Sequence, residues 1–413
     1  MATRWEVIKE EKLVMLKHGC KNSRKKGGMR SMRSLLKAVI TVIMVVPFIA
    51  GCSSQKSVSD TKSGPIKIGV VTTLTGERAL TGQYSRNGVL MAVGEINGQG
   101  GINGRKIEIM FEDDGGNDSG AVNAYNKLTN SGADVIIGPI YSTMDLAMSP
   151  SIKKAEIPTL VIGSSNEIAK QKNPWMFQSR TPDAISAVAL AKFAATKLKF
   201  KKPAILHDSD NFASGAAEVA KKTLEGLKVP PVLIESYNTG DKDFTPLLAK
   251  IKASGADGIL AWAQQVEAGL IMKQKKSLDL KIPLIGSNSY VTKIAIDLAK
   301  ENAEGVYSVA DYVPTNPASR TQEFAKNYKA KYNLESEFNS AMNYDALYLA
   351  AEAVKKAGST DKNAVRQAFG TIKDFVGVST IFSFDENNIG GTAVSIVQVK
   401  NGAPQIIEMV KGR

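Results

Sequence analysis

From Pro65 onward, short β-branched runs alternate with amphipathic stretches, and this alternation constrains the fold more than any other feature of the chain. "IKIGVV" (66–71) reads as a buried strand, "RNGVLMAVGEING" (86–98) as a helix ending at Gly98, and "KIEIMFEDD" (106–114) as the next strand. "AVNAYNKLTNSG" (121–132) and "MDLAMSPSIKKAE" continue as helices, between the strands "ADVIIGP" (133–139) and "IPTLVIG" (157–163). Parallel strands need long crossovers, and the crossovers here are helical, so the pattern predicts a doubly wound α/β layer structure with helices on both faces of the sheet. Between Ala184 and Asn288 the scheme starts afresh, through "PAILHD", "PVLIESY", "ADGILAW" and "IPLIGSN" and the helical stretches between them. Two similar α/β lobes follow from that repetition.

In open α/β sheets, ligands sit beyond the carboxyl ends of the strands. The loops at those ends carry "TTLTG", "GGND", "IYSTMD", "SSNE", "SDNF", "AQQV" and "SNSY", rich in hydroxyls, amides and aromatics and poor in charge. Hydroxyls and free backbone N–H groups can hold a small anion without a neutralising cation, and "GPIYST" and "VIGSSN" offer two such places in one lobe. Each serine there also has the plainer role of capping the helix that follows.

The remaining motifs argue against other chemistries. "GQGGING" (98–104) follows a helix and precedes a strand, the reverse of a nucleotide-binding glycine loop, so it is a connection. "EDDGGND" (112–118) lacks the closing glutamate of a calcium loop and reads as a strand-end turn, so no metal is expected. Ser142, Ser164 and Ser165 have no histidine in their own lobe, because His207 belongs to the other, and no Gly-x-Ser-x-Gly elbow occurs. Asp208 and Asp210 could pair as acid and base, but Asp is common at strand ends; an enzyme is not expected.

Composition needs correcting for the N-terminal segment. Residues 1–51 hold eleven Lys/Arg against three Asp/Glu, so the whole-chain charge of +13 falls to about +5 for the remainder, and a nucleic-acid partner loses its main support. The apolar run Ala38–Gly51 has fourteen residues behind a basic flank, too short to span a bilayer and proportioned like a signal-peptide core. Met29 or Met32 would be a more usual start than Met1. Ile49-Ala50-Gly51-Cys52 resembles the bacterial lipoprotein signal, which implies cleavage before Cys52 and a lipid on that cysteine; an ordinary signal peptide or an uncleaved anchor is the plainer alternative. No cysteine follows Cys52, so neither a disulfide framework nor a thiolate metal site is available, and "SSQKSVSDTKSG" (53–64) reads as a flexible tether.

The stretch "IKIGVVTTLTGERALTGQYSRNGVLMAVGEINGQGGINGRKIEIMFEDD" resembles the opening of the type I periplasmic solute-binding proteins of branched-chain amino-acid ABC transporters. "ADVIIGPIYS", "DFTPLLAKIKASGADGILAW", "AEGVY" and "NYDALYLAAEAVKKAG" (343–358) extend the likeness toward the C-terminus. The resemblance implies two lobes joined by three crossovers, with no cofactor, and a monomer that works with membrane permease subunits on the extracytoplasmic side. The expected division is leader 1–51, lipidated cysteine and tether 52–65, lobe 1 at 66–182 plus about 312–390, and lobe 2 at 183–311 plus about 391–413.

By position in that family, Ser142 and Ser165, with Ser164 beside them, fall where hydroxyls hold a ligand carboxylate, and Gly163 where a carbonyl takes the ammonium. Thr81 falls at a contact position of the first lobe, and Phe212, Gln264 and Asn288 at contact positions of the second. Two departures bear on the ligand: the leucine/isoleucine/valine binder has a glutamate at the position of Asn288 and a tyrosine at that of Gln264. Glu267, Asp208 and Asp311 are the other candidates for the missing negative charge. The implied function is capture of a branched-chain or related amino acid; another small carboxylate or amide, such as an aromatic acid, or a ligand-presenting sensor component, is the alternative.

Overall fold

The computed structural model describes residues 64–412. β1 (Ile66–Thr72), β2 (Ile107–Asp113), β3 (Val135–Ile137), β4 (Thr159–Val161) and β5 (Met176–Gln178) build one sheet. It is parallel throughout, in the order β2-β1-β3-β4-β5. Alternation along each strand divides the side chains between two cores. Ile66, Ile68 and Val70 of β1 face the helices Ala79–Gly98 and Phe338–Ala357, whereas Val71 faces Asp118–Asn130 and Ser142–Ala155. Each such buried aliphatic side chain contributes about 1.5–3 kcal/mol of transfer free energy.

The second sheet is assembled from β6 (Pro203–Asp208), β7 (Leu233–Tyr237), β8 (Gly258–Trp262), β9 (Leu284–Gly286), β10 (Tyr307–Ala310) and two later strands. A two-residue pair, β11 (Phe375–Val376) and β12 (Ile381–Phe382), comes before those later strands, β13 (Ala393–Lys400) and β14 (Ala403–Lys411). The sheet order is β14-β13-β10-β9-β8-β6-β7. Leu206 and Ala261 face the helices Thr245–Ala253 and Gln265–Ser277, while Ile205 and Trp262 face Asp183–Thr196 and Asn211–Gly226.

Two doubly wound lobes are therefore present, and the second adds an antiparallel hairpin at one edge, since β13 runs against both β10 and β14. Its turn is Asn401-Gly402, both with positive φ, the two-residue hairpin turn that matches strand twist. The chain passes between the sheets three times: after β5, after β10 and after β12. Between the second and third passages, the helices Ser319–Tyr332, Phe338–Ala357 and Lys362–Gly370 pack on the first sheet.

The first helix begins at Ala79, seven residues before the periodic apolar pattern starts at Arg86. Gly82 weakens the helical signal in sequence, yet packing requires it: a Cβ there would lie 1.6 Å from the Thr73 carbonyl oxygen. Gly88 plays the same part farther along, where a Cβ would meet the Ser340 carbonyl oxygen at 2.1 Å. No helix among the described residues is long and apolar enough to cross a membrane. The apolar run Ala38–Gly51 and Cys52 lie outside the described residues.

Candidate functional site

Strand order reverses at β1/β3 in the first sheet and at β6/β8 in the second, and the loops beyond those strands face each other across a cavity. From the first lobe Ile140, Tyr141, Ser142 and Ser164 line it; from the second, Phe212, Gln264, Gln265, Asn288 and Ser289. Arg180 in the first crossover segment and Phe338 complete the wall. The cavity holds about 30 Å³, room for one or two waters, so admitting a solute of amino-acid size requires the lobes to separate.

The serine corner is built from two strand-end loops. Ser142 opens the helix Ser142–Ala155 directly after β3, and the helix has no side-chain N-cap. The Ser142 Oγ accepts a hydrogen bond from the Ser165 N–H at 3.1 Å, fixing the two loops together. The Ser164 hydroxyl, on a residue 1% exposed, lies at the cavity. Ser165 itself is set back. Its Oγ accepts from the Glu167 N–H at 3.2 Å, capping the helix Asn166–Lys170, and donates to the Asn211 carbonyl of the opposite lobe at 3.1 Å.

Gly163 also stands behind the wall. Its carbonyl accepts from Gln178 Nε2 at 2.9 Å, and its N–H donates to Asp145 Oδ2 at 2.8 Å. Burial holds the Asp145 carboxyl well above the usual carboxylate range. Thr81 reaches across the cleft, donating to Gln265 Oε1 at 3.4 Å, and the amide of Gln265 continues to Asn339 Oδ1 at 3.5 Å. Of the residues the sequence singled out, Ser142, Ser164, Phe212, Gln264 and Asn288 therefore meet at the cavity, while Thr81, Gly163 and Ser165 are engaged one layer away.

On the opposite wall the helix Gln265–Ser277 begins at Gln264, again without a side-chain N-cap. Two helix N-termini thus open on the cavity from opposite lobes, each with first-turn N–H groups suited to a negatively charged or carbonyl oxygen. Gln264 is steadied by donating from Nε2 to Asp210 Oδ2 at 2.7 Å, and Asp210 caps the helix Asn211–Gly226 through the Ala213 N–H. Phe212 is 8% exposed and Asn288 5%, the latter opening the turn Asn288–Val291 after β9.

The candidates for a negative charge at the wall are committed elsewhere. Glu267 accepts from the Gly240 N–H at 3.0 Å, and Asp208 from Thr239 Oγ1 at 2.6 Å and the Asp210 N–H at 3.0 Å. Burial, and then the charge of Asp210, push the Asp208 carboxyl up to about 6. Asp311 faces Arg180, whose Nε donates to Oδ2 at 3.0 Å while Nη2 lies 2.8 Å from the same oxygen. Among the described residues no carboxylate lines the cavity, and Arg180 is its one charged lining residue. In the "EDDGGND" turn, Asp113 takes the Leu74 and Gly115 N–H groups and the Thr75 hydroxyl, and Asp114 takes the Thr73 hydroxyl and the Gly116 N–H.

Arg180 and Phe338 were not singled out in sequence. Arg180 belongs to a crossover without periodic pattern, and Phe338 to a helix start more than 150 residues away. They meet because the crossovers converge: the guanidinium carbon sits 4.6 Å from the Phe338 ring centroid.

The profile of a family described as periplasmic binding protein matches residues 65–404. A "Leucine-, isoleucine-, valine-, threonine-, and alanine-binding protein" of Pseudomonas aeruginosa is 30% identical over 326 residues, covering 78% of this chain and 85% of its own length. The branched-chain amino acid transporter substrate-binding protein of Streptococcus pneumoniae, solved with isoleucine, superposes with a TM-score of 0.78 at 26% identity, covering 84% of this chain and 99% of that one. A solute-binding protein of an ABC transporter from R. palustris, solved with benzoate, has the same fold, with a TM-score of 0.78 at 22% identity over 84% and 97% of the two chains. The lobes, the cleft between them and the profile match over most of the described residues lead to one conclusion: the chain belongs to the periplasmic binding protein family.

Proposed function

We propose that this chain is the extracytoplasmic capture component of an ABC importer, closing two lobes on a small carboxylate-bearing solute, a branched-chain or related amino acid, and delivering it to the permease. One observation carries the reading. Two uncapped helix N-termini, at Ser142 and Gln265, face a common cavity from opposite lobes, so a solute bridging them binds the closed form better than the open one and populates it. The names of the relatives support the amino-acid class. A thermal-shift screen of the purified protein against amino acids and small carboxylic acids tests this reading. A true ligand at a hundred times its Kd adds about 2.7 kcal/mol of stability, and a flat response across both classes would count against it.

A second reading, an acid without an amine, is favoured because none of the described residues on the cavity wall is a carboxylate. The buried ammonium of an amino acid would then have only uncharged groups, hydroxyl, amide and carbonyl oxygens and aromatic faces, to offset its lost hydration.

The lipid anchor belongs to the same proposal. Cys52 follows a short apolar run and precedes a polar tether, and more than one acyl chain there would hold the protein stably at a membrane, each buried methylene contributing about 0.8 kcal/mol. Cys52→Ser should release the protein or leave unprocessed precursor; a variant still processed and lipid-labelled would contradict the anchor.

A further inference from the structure

We infer that Arg180 is the specificity-determining residue of the cleft and selects a small carboxylate lacking an α-ammonium, an inference that rests on the capture reading above in its second form, an acid without an amine. Its side chain is 9% exposed, and among the described residues it is the cavity's one charged lining residue. The guanidinium lies over the Phe338 ring, and Asp311 holds it through Nε and Nη2. A guanidinium carries five N–H groups, and both contacts to Asp311 go to the single oxygen Oδ2. Those contacts engage one N–H of Nε and one of Nη2, so donors remain for a second acceptor at the cavity.

The charge arrangement decides which solute suits those donors. A carboxylate placed there shares Arg180 with Asp311, a geometry that a forked guanidinium supports. The Ser142 and Ser164 hydroxyls and the Asn288 amide lie around the same space as further partners. An α-ammonium in so small a cavity would sit close to a buried cation, with Asp311 occupied and no other carboxylate among the described wall residues. In a low-dielectric cleft that repulsion is poorly screened.

Arg180 also ties the cleft to the hinge. It lies in the first crossover, after β5, and Asp311 in the second, directly after β10, so the group that reads the ligand pins two of the three chain passages together.

Calorimetry with leucine, 4-methylpentanoate (the leucine skeleton without its amine) and benzoate tests the assignment on the purified protein. At least one of the two acids should bind at least about tenfold more tightly than leucine. Arg180→Gln should weaken that acid about tenfold to a hundredfold, the usual effect of losing a hydrogen bond to a charged group, and weaken leucine less, because its ammonium loses an unfavourable neighbour as its carboxylate loses a favourable one. Arg180→Lys should recover part of the loss, which a merely structural role would not produce. Asp311→Asn, which keeps the guanidinium, provides a second route if Arg180→Gln folds poorly: the acid should raise its thermal midpoint more than that of the parent protein. Leucine binding more tightly than both acids, or equal losses for leucine and acid in Arg180→Gln, would overturn the assignment while leaving solute capture intact. Binding of none of the three would overturn both.

Discussion

Gly163→Ala puts a single methyl group into the most crowded corner of the cleft. Gly163 has no left-handed φ, so the substitution carries no backbone penalty and its cost is steric. The added Cβ would lie 2.4 Å from Asp145 Oδ2, 2.7 Å from Ser142 Oγ and 2.8 Å from Ser142 Cα. The first two atoms could rotate away, but the third is backbone at the start of the helix Ser142–Ala155. That helix or the β4 loop must therefore shift. Overpacking of this kind costs about 1–3 kcal/mol, and at about 2–4 °C per kcal/mol the thermal midpoint should fall by roughly 2–12 °C. Because the shift moves Ser142 and strains the Gly163 N–H bond to Asp145, ligand affinity should fall as well. Gly215→Ala is the matched control: it lies within the helix Asn211–Gly226 with nothing within 4 Å of the new Cβ, so it should gain up to about 1 kcal/mol. Differential scanning calorimetry of the two variants decides the matter. Equal midpoints for Gly163→Ala and the parent protein would refute the close approach of the β3 and β4 loops on which the serine corner depends.

Ser165→Ala removes a helix cap and a hydrogen bond between the lobes. The second loss, about 0.5–1.5 kcal/mol, should weaken solute binding by roughly twofold to tenfold; unchanged affinity would deny the hydroxyl any part in closure. Glu77→Ala should leave affinity unchanged at physiological salt, because the Glu77–Lys242 pair across the cleft is 79% and 68% exposed; a clear loss in calorimetry would contradict that. Burial raises the folded-state pKa of Glu337 to about 8 and of Asp183 to about 7, both above their unfolded values. Their contribution to stability is therefore full below about pH 4 and is lost as the pH rises through those folded values, at about 1.4 kcal/mol for each pH unit separating the unfolded from the folded value. The thermal midpoint should fall between pH 5 and pH 8, and Glu337→Gln should flatten that slope. A midpoint that rises over the range, or a slope identical in the variant, would contradict the assignment.

The parts of the site legible in the sequence are those carried by the strand-loop-helix rhythm. Ser142, Ser164, Phe212, Gln264 and Asn288 all lie in the loops or first helical turns beyond short apolar runs, and that local position is enough to bring them to the cleft. Ser165 and Gly163 occupy the same loops, but no sequence signal tells a group facing the cavity from one turned to the opposite lobe or to Gln178. The start of the first helix was hidden because Gly82 answers to its contact with Thr73, not to helix propensity. Arg180 was illegible for a related reason. A charged residue between strand and helix reads as solvent-exposed, and its burial depends on Asp311 and Phe338, both far along the chain. The antiparallel hairpin β13–β14 has its Asn-Gly turn in plain view, but its place at the edge of the second sheet follows from the third crossover.

Small-angle scattering of the purified protein, recorded across a titration with 4-methylpentanoate and with leucine, addresses closure on a small carboxylate most directly. The radius of gyration should decrease for whichever solute binds and saturate at the same concentration as the calorimetric heat, because a ligand touching both Ser142 and Gln264 favours the arrangement that brings them together. A radius that stays constant through calorimetrically complete binding would contradict capture by closing lobes.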